Sequence, residues 1–211
     1  MSVLPHGSPT GRTRTAGAVL GGTSGNETLT RSTAALLTML LLAEGVTVLD
    51  VGGMLSLHMF IGLVLIGPVL LKLASTGYRM VRFYTGAPAY RLKGPPALPL
   101  RVLAPVLVAA TVGIFASGVA LLALGHRSDL LLTVHKASFI VWSVVFAVHF
   151  LAYLPRVLRS LSADWGVARR ARVPGSSLRA ALLAAALGGG AALASTLLPA
   201  ITDWVARAGG G

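Results

Sequence analysis

The chain has 211 residues, of which 55% are hydrophobic and 11% charged, a composition far from that of a water-soluble domain and typical of a polytopic membrane protein. A formal net charge of +12 raises nucleic acid as a partner, but the basic residues fall in the connections between apolar stretches rather than along a groove-filling element, which argues against it. With no cysteine, disulfides, thiolate zinc sites and iron–sulfur clusters held by this chain are excluded.

Residues 1–31 are rich in Gly, Ser, Thr and Pro and contain no sustained apolar run, so they read as a flexible cytoplasmic tail. Residues 15–22 are too short and too glycine-rich for a signal-peptide core, and no cleaved leader is expected. Asn26-Glu27-Thr28 matches the glycosylation triplet, a pattern common by chance that the topology below places on the cytoplasmic side.

Five apolar stretches follow, over residues 32–51, 54–75, 102–124, 130–154 and 178–201. Each is near the length needed to cross about 30 Å of hydrocarbon. The expected fold is therefore all-α, a polytopic bundle of five transmembrane helices. Residues 32–154 form a four-helix core, 155–177 a basic cytoplasmic loop, and 178–211 a peripheral fifth helix with a short outer tail. Arg12, Arg14 and Arg31 precede the first span, Arg79, Arg82, Arg91, Lys93 and Arg101 separate the second and third, and Arg156, Arg159, Arg169, Arg170, Arg172 and Arg179 separate the fourth and fifth. The other connections carry Asp50 alone, Arg127 beside Asp129, and Arg207 beside Asp203. By the positive-inside rule the N-terminus lies in the cytoplasm and the C-terminus outside, in a multi-pass protein of the cell membrane.

That topology converts position into depth. The second and fourth spans run in the same direction, with His58 about one turn into the second and His135 about one turn into the fourth. Fourteen residues beyond each comes a further ionisable group, Lys72 and His149 respectively. Fourteen residues return a side chain to within roughly 40° of the same helix face, about 21 Å further on. The two spans thus share a two-layer register, His58 with His135 in the outer layer and Lys72 with His149 in the inner. Ionisable groups in hydrocarbon are costly and mark a ligand, a pathway or a partner. Paired neutral imidazoles on facing helices suit the axial positions of a haem, leaving a six-coordinate iron that passes electrons. Gly62, one turn after His58, together with Gly45, Gly113 and Gly118, offers positions where a flat ring can approach the backbone, although glycines in spans commonly serve close helix packing.

The His135–His149 helix and its parallel His58 helix resemble the four-helix b-type cytochromes of membranes, the family that includes bacterial cytochrome b561 and the respiratory cytochrome b subunits. The likeness covers residues 32–154 and rests on ligand spacing. It implies two haems stacked between two helices, with His58 and His135 the axial pair of an outer haem b and His149 a ligand of an inner one. The chain departs from the family at Lys72, where a complete pattern has a second histidine. Lys72 could ligate iron as a free amine, neutralise a propionate, or snorkel to the interface a turn away. His149 could then hold a five-coordinate haem, pair with a thioether such as Met39, or hydrogen-bond within the bundle. One haem is expected and a second is left open.

Other polar groups admit simpler readings. Lys136 can meet a propionate or reach the surface. His126 lies in the turn-like outer loop 125–129, His6 in the tail, and Glu44 reads as a water-reached carboxylate or a proton-relay acid. The loop 77–101 interleaves Tyr78, Phe83, Tyr84 and Tyr90 with five basic residues, and Gly94-Pro95-Pro96 makes a stiff turn. Its flanking spans favour an interfacial anchor on anionic lipid over single-stranded nucleic acid. The fifth span is built of small residues, with Gly188–Gly190 permitting close helix approach and Pro199 ending or bending the helix. Nothing resembles a nucleotide loop, a nucleophile–base pair or a carboxylate metal cluster. The function expected is an electron-transfer subunit passing electrons between a quinone or redox partner protein and another carrier. The alternatives are a haem-free transporter or proton relay using Lys72, His149 and Glu44, and a structural membrane subunit.

Overall fold

The computed structural model describes residues 21–94, 98–164 and 175–209. Among them the chain forms α-helices and their connections, with no strand: α1 (Gly22–Leu49), α2 (Leu55–Tyr84), α3 (Pro88–Arg91), α4 (Leu98–Leu124), α5 (Asp129–Asp164), α6 (Ser176–Thr196) and α7 (Leu198–Gly209). Five of these, α1, α2, α4, α5 and α6, contain stretches long and apolar enough to cross a membrane. In hydrocarbon every backbone N–H and C=O must be satisfied within the segment, which selects the helix. Large apolar side chains such as Leu42, Leu70, Ile140 and Val144 remain exposed along the spans, as lipid contact requires.

Helix α2 is the axis of the bundle. It packs along α1 on one side and α6 on the other, while α4 and α5 form a separate antiparallel pair. The α2–α6 contact is made by backbones. A Cβ at Gly67 would strike the Ala186 carbonyl and a Cβ at Gly190 the Val64 carbonyl, so these glycines let the two helices close. The fifth span, given a peripheral place on its small-residue composition, therefore packs along the length of α2, and Ala194 joins Leu63, Val64, Leu122 and Ile201 in the buried core cluster. Its small residues are what the close approach needs.

Three boundaries differ from those expected. Helix α1 starts at Gly22, so residues 22–31 are helical rather than tail. Local composition disfavours order there, but Asn26, Leu29 and Thr33 are buried and Asn26 Nδ2 donates to the Ser75 carbonyl of α2 at 3.2 Å. Tertiary packing overrides the weak propensity, and the same burial removes Asn26 as an accessible glycosylation site. Helix α5 continues to Asp164 rather than ending near Leu154. The fifth span breaks at Leu197, and Pro199 lies in the first turn of α7, where its missing N–H leaves no intrahelical bond unmade. The rest of the expected tail, residues 1–20, lies outside the described residues, as do His6, Pro95, Pro96, Arg169, Arg170 and Arg172.

Helix α7 fastens the two parts together. Ile201 is fully buried in the core cluster, and the Trp204 indole Nε1–H donates to the Leu121 carbonyl of α4 at 3.1 Å. Leu121 O is near the end of α4, where carbonyls lack an intrahelical partner. Trp204→Phe keeps a ring but removes the donor, and is expected to cost about 1 kcal/mol, read as a lower thermal unfolding midpoint in detergent with unchanged helical content. An unaltered midpoint would show that the fastening does not stabilise the fold.

Candidate functional site

Two ionisable layers are assembled at different depths. In the first, His58 of α2 and His135 of α5 meet with ring centroids 6.3 Å apart and planes at 88°. Each ring is held through Nδ1 by a helix of its own side of the bundle. His58 Nδ1 lies 2.9 Å from Glu44 Oε1 and 3.1 Å from Thr47 Oγ1, both on α1. His135 Nδ1 lies 3.0 Å from the Ile114 carbonyl and 3.1 Å from Ser117 Oγ, both on α4.

These partners decide the tautomers. A carboxylate or backbone carbonyl oxygen only accepts, so a neutral imidazole facing one must carry its proton on Nδ1. In its neutral form each ring then keeps the lone pair on Nε2. Neither Nε2 has a hydrogen-bond partner among the described residues. The hydroxyls complete the arrangement: Thr47 Oγ1 donates to the Glu44 backbone carbonyl at 2.7 Å and Ser117 Oγ to the Gly113 carbonyl at 2.6 Å, leaving their lone pairs toward the imidazoles. This carboxylate- or carbonyl-supported histidine is the usual outer-shell support of metal-ligating imidazole.

The glycines near this layer do different things. A Cβ on Gly118 would come within 3.4 Å of the His135 ring, so its absence lets the ring lie against α4. Gly62 has only the Glu44 carboxylate near its Cβ position, at 3.7 Å, and Gly45 has nothing within 4 Å. Neither is a helix-packing glycine. Gly113 faces the Ser138 side chain across the α4–α5 contact. Helix α5 packs its backbone closely on α4 but not on α2, so the histidine pair bridges two helices whose backbones stay apart.

The second layer is built differently. Lys72 Nζ donates to the Thr30 carbonyl of α1 at 2.9 Å. Ser75 Oγ donates to the Lys72 carbonyl at 3.1 Å. His149 of α5 is partly buried. Lys72 commits its amine to α1. Met39, offered as a thioether partner for His149, is 68% exposed on the outside of α1. Lys136 and His126 are exposed, and the latter approaches the Arg127 carbonyl.

Thr47, Ser117 and the Ile114 carbonyl are contributors that sequence reasoning misses. Glu44, for which the sequence leaves a water-reached carboxylate or a proton-relay acid, has a side chain only 15% exposed. A carboxylate in the middle of an apolar span, with Thr47 one turn on, is the signal that marks it. Its partner is invisible without the α1–α2 packing.

No group of three or more His, Cys, Asp or Glu that could hold a bare metal ion occurs among the described residues. Compared with family models, with curated proteins and with solved structures, the chain matches none.

Proposed function

We propose that this chain is a b-type haem subunit of the cytoplasmic membrane, in which His58 and His135 would hold the iron. The observation that carries the reading is the pair of Nε2 lone pairs, each fixed by an acceptor at Nδ1, on rings 6.3 Å apart. Through their Nε2 atoms the two rings would hold the iron of a haem from α2 and α5. A porphyrin supplies four nitrogens of its own, so two protein ligands complete the iron and no larger cluster of His or carboxylates is needed. When bound, haem supplies one-electron exchange at a potential set by its axial ligands and their hydrogen bonds.

The protein residues do the positioning. Glu44 and Thr47 orient His58, Ile114 and Ser117 orient His135, and Gly118 makes room for the second ring. Lys72 and His149 form a second layer in which only His149 is suited to an iron ligand, which favours one haem over two. Electrons would pass between this haem and a quinone or a redox partner protein. The basic residues Arg31, Arg79, Arg82, Arg91, Lys93 and Arg101 at one end of the bundle support placing that end in the cytoplasm.

The direct test is the absorption spectrum of protein purified from a haem-replete host: a Soret band and a sharp reduced α-band are expected. Haem-free protein would sink the reading and favour a proton relay, for which the buried Glu44–His58 contact at 2.9 Å is the supporting observation. A second expectation follows from the same contact. A carboxylate acceptor makes the imidazole a stronger donor and so favours ferric iron. Glu44→Gln is expected to retain haem while raising the midpoint potential, by about 1 kcal/mol or roughly 40 mV. A potentiometric titration that superimposes on wild type would remove Glu44 from this role.

A further inference from the structure

The connection between α2 and α4 is a folded platform rather than a loop. Helix α2 runs about 13 Å beyond Ser75, turns at Gly86, whose φ of 87° suits glycine, and folds back through α3. Tyr90 is buried and stacks edge-on with Tyr78 at 6.1 Å. Arg101, in the first turns of α4, donates from Nη2 to the Tyr84 hydroxyl at 2.7 Å and lies 6.0 Å from that ring's centroid. The Asn26–Ser75 bond and an ion pair between Lys93 and Glu27 bring the start of α1 to the same end.

The charge on this platform is not balanced from within. Arg31, Arg79, Arg82, Arg91, Lys93 and Arg101 gather at this end of the bundle, where the Glu27 carboxylate pairs with both Arg31 and Lys93. Arg79 and Arg82 are one helical turn apart and exposed, and Arg79 shares a cleft with Glu27 and Lys93, so one carboxylate serves Arg31, Lys93 and Arg79 together. Between these cations Met80, Val81, Tyr84 and Leu92 are exposed, Leu92 to 89%. Exposed apolar side chains interleaved with uncompensated cations and tyrosines fit neither bulk water nor hydrocarbon. They fit the boundary where phosphate lies above acyl chain.

We infer that this platform binds the headgroups of anionic phospholipids, with Arg79, Arg82 and Arg101 as the cations that meet the phosphates. Tyr84 holds Arg101 extended in advance, and the apolar side chains enter the upper acyl region beside them. Selectivity for anionic over zwitterionic lipid follows from the uncompensated charge, at about fivefold in affinity for each cation near the surface.

The test uses the full chain in detergent, with phosphatidylglycerol or phosphatidylcholine added and retained lipid counted by native mass spectrometry. Wild type is expected to retain phosphatidylglycerol preferentially, and the preference should shrink as sodium chloride is raised through the range where the screening length falls below 10 Å. Arg79→Gln, Arg82→Gln and Arg101→Gln together should reduce the preference on the order of 100-fold, while Arg127→Gln with Arg207→Gln, at the other end, should leave it intact. Equal retention of both lipids by wild type, a preference insensitive to salt, or a folded triple variant that keeps its preference would each overturn the inference. If the triple variant does not fold, the wild-type lipid comparison and its salt dependence decide by themselves.

Discussion

Replacing either His58 or His135 with Ala is expected to abolish the Soret band of the purified protein. Each ring supplies one of two axial bonds, and neither has a substitute: the nearest side chains, Glu44, Thr47 and Ser117, are engaged with Nδ1 or with backbone carbonyls. Removing one ligand also strands the partners that oriented it, leaving the Glu44 carboxylate in an apolar span without its donor, at a further cost of about 1–3 kcal/mol. The haem-to-protein ratio should therefore fall to near zero in both variants rather than by half. Thr47→Val and Ser117→Ala, which remove only the hydroxyls beside Nδ1, should lower the ratio far less, since loss of a group that orients a ligating imidazole is worth roughly 10–100-fold in affinity. His149→Ala and Lys72→Ala measured in the same way decide the number of haems. A ratio near one in wild type that neither variant changes supports a single site, whereas loss of half the haem in His149→Ala requires a second. Wild-type protein with a full Soret band that survives both His58→Ala and His135→Ala would refute this ligand pair outright.

The second large effect is expected at the α2–α6 contact. Gly67→Val and Gly190→Val each place a branched side chain where a backbone carbonyl of the other helix already lies. Backbone cannot rotate away as a side-chain tip can, so the helices must separate along their length. Overpacking typically costs 1–3 kcal/mol, and contact with rigid backbone belongs at or above the top of that range. Separation would also disturb the cluster of Leu63, Val64, Ala194 and Ile201, and through Ile201 the seating of α7. Both variants are expected to show a markedly lower thermal midpoint in detergent or to fail to accumulate. Gly188→Val and Gly189→Val, whose Cβ positions have nothing within 4 Å, provide the comparison and should behave like wild type. Equal effects at all four positions would mean that glycine matters here for the helix itself and not for its contact.

Much of the fold was legible in the sequence for one physical reason. A bilayer demands long, uncharged, internally hydrogen-bonded segments, and that demand is written in composition and length. Five such helices stand where five apolar stretches predict them, and only the ends move. The start of α1 was hidden because Ser, Thr and Gly between 22 and 31 read locally as disorder, while Asn26, Leu29 and Thr33 take their order from α2. The break at Leu197 was half-visible, since Pro199 announced a bend but not that the chain would resume as α7.

The candidate site divides along the same line. Helical periodicity within single spans placed His58 and Lys72 on one face and His135 and His149 on another, so the two-layer register is a property of the sequence by itself. What each group bonds to depends on neighbouring helices, and periodicity is silent about those. Only the tertiary structure set Glu44 against His58 Nδ1, gave His135 the Ile114 carbonyl, and drew Lys72 onto the Thr30 carbonyl. The sequence determined which residues share a depth and a face because 3.6 residues per turn is local geometry. The structure decided which nitrogen keeps its lone pair, because a tautomer is set by the acceptor opposite it, and here every such acceptor comes from another helix.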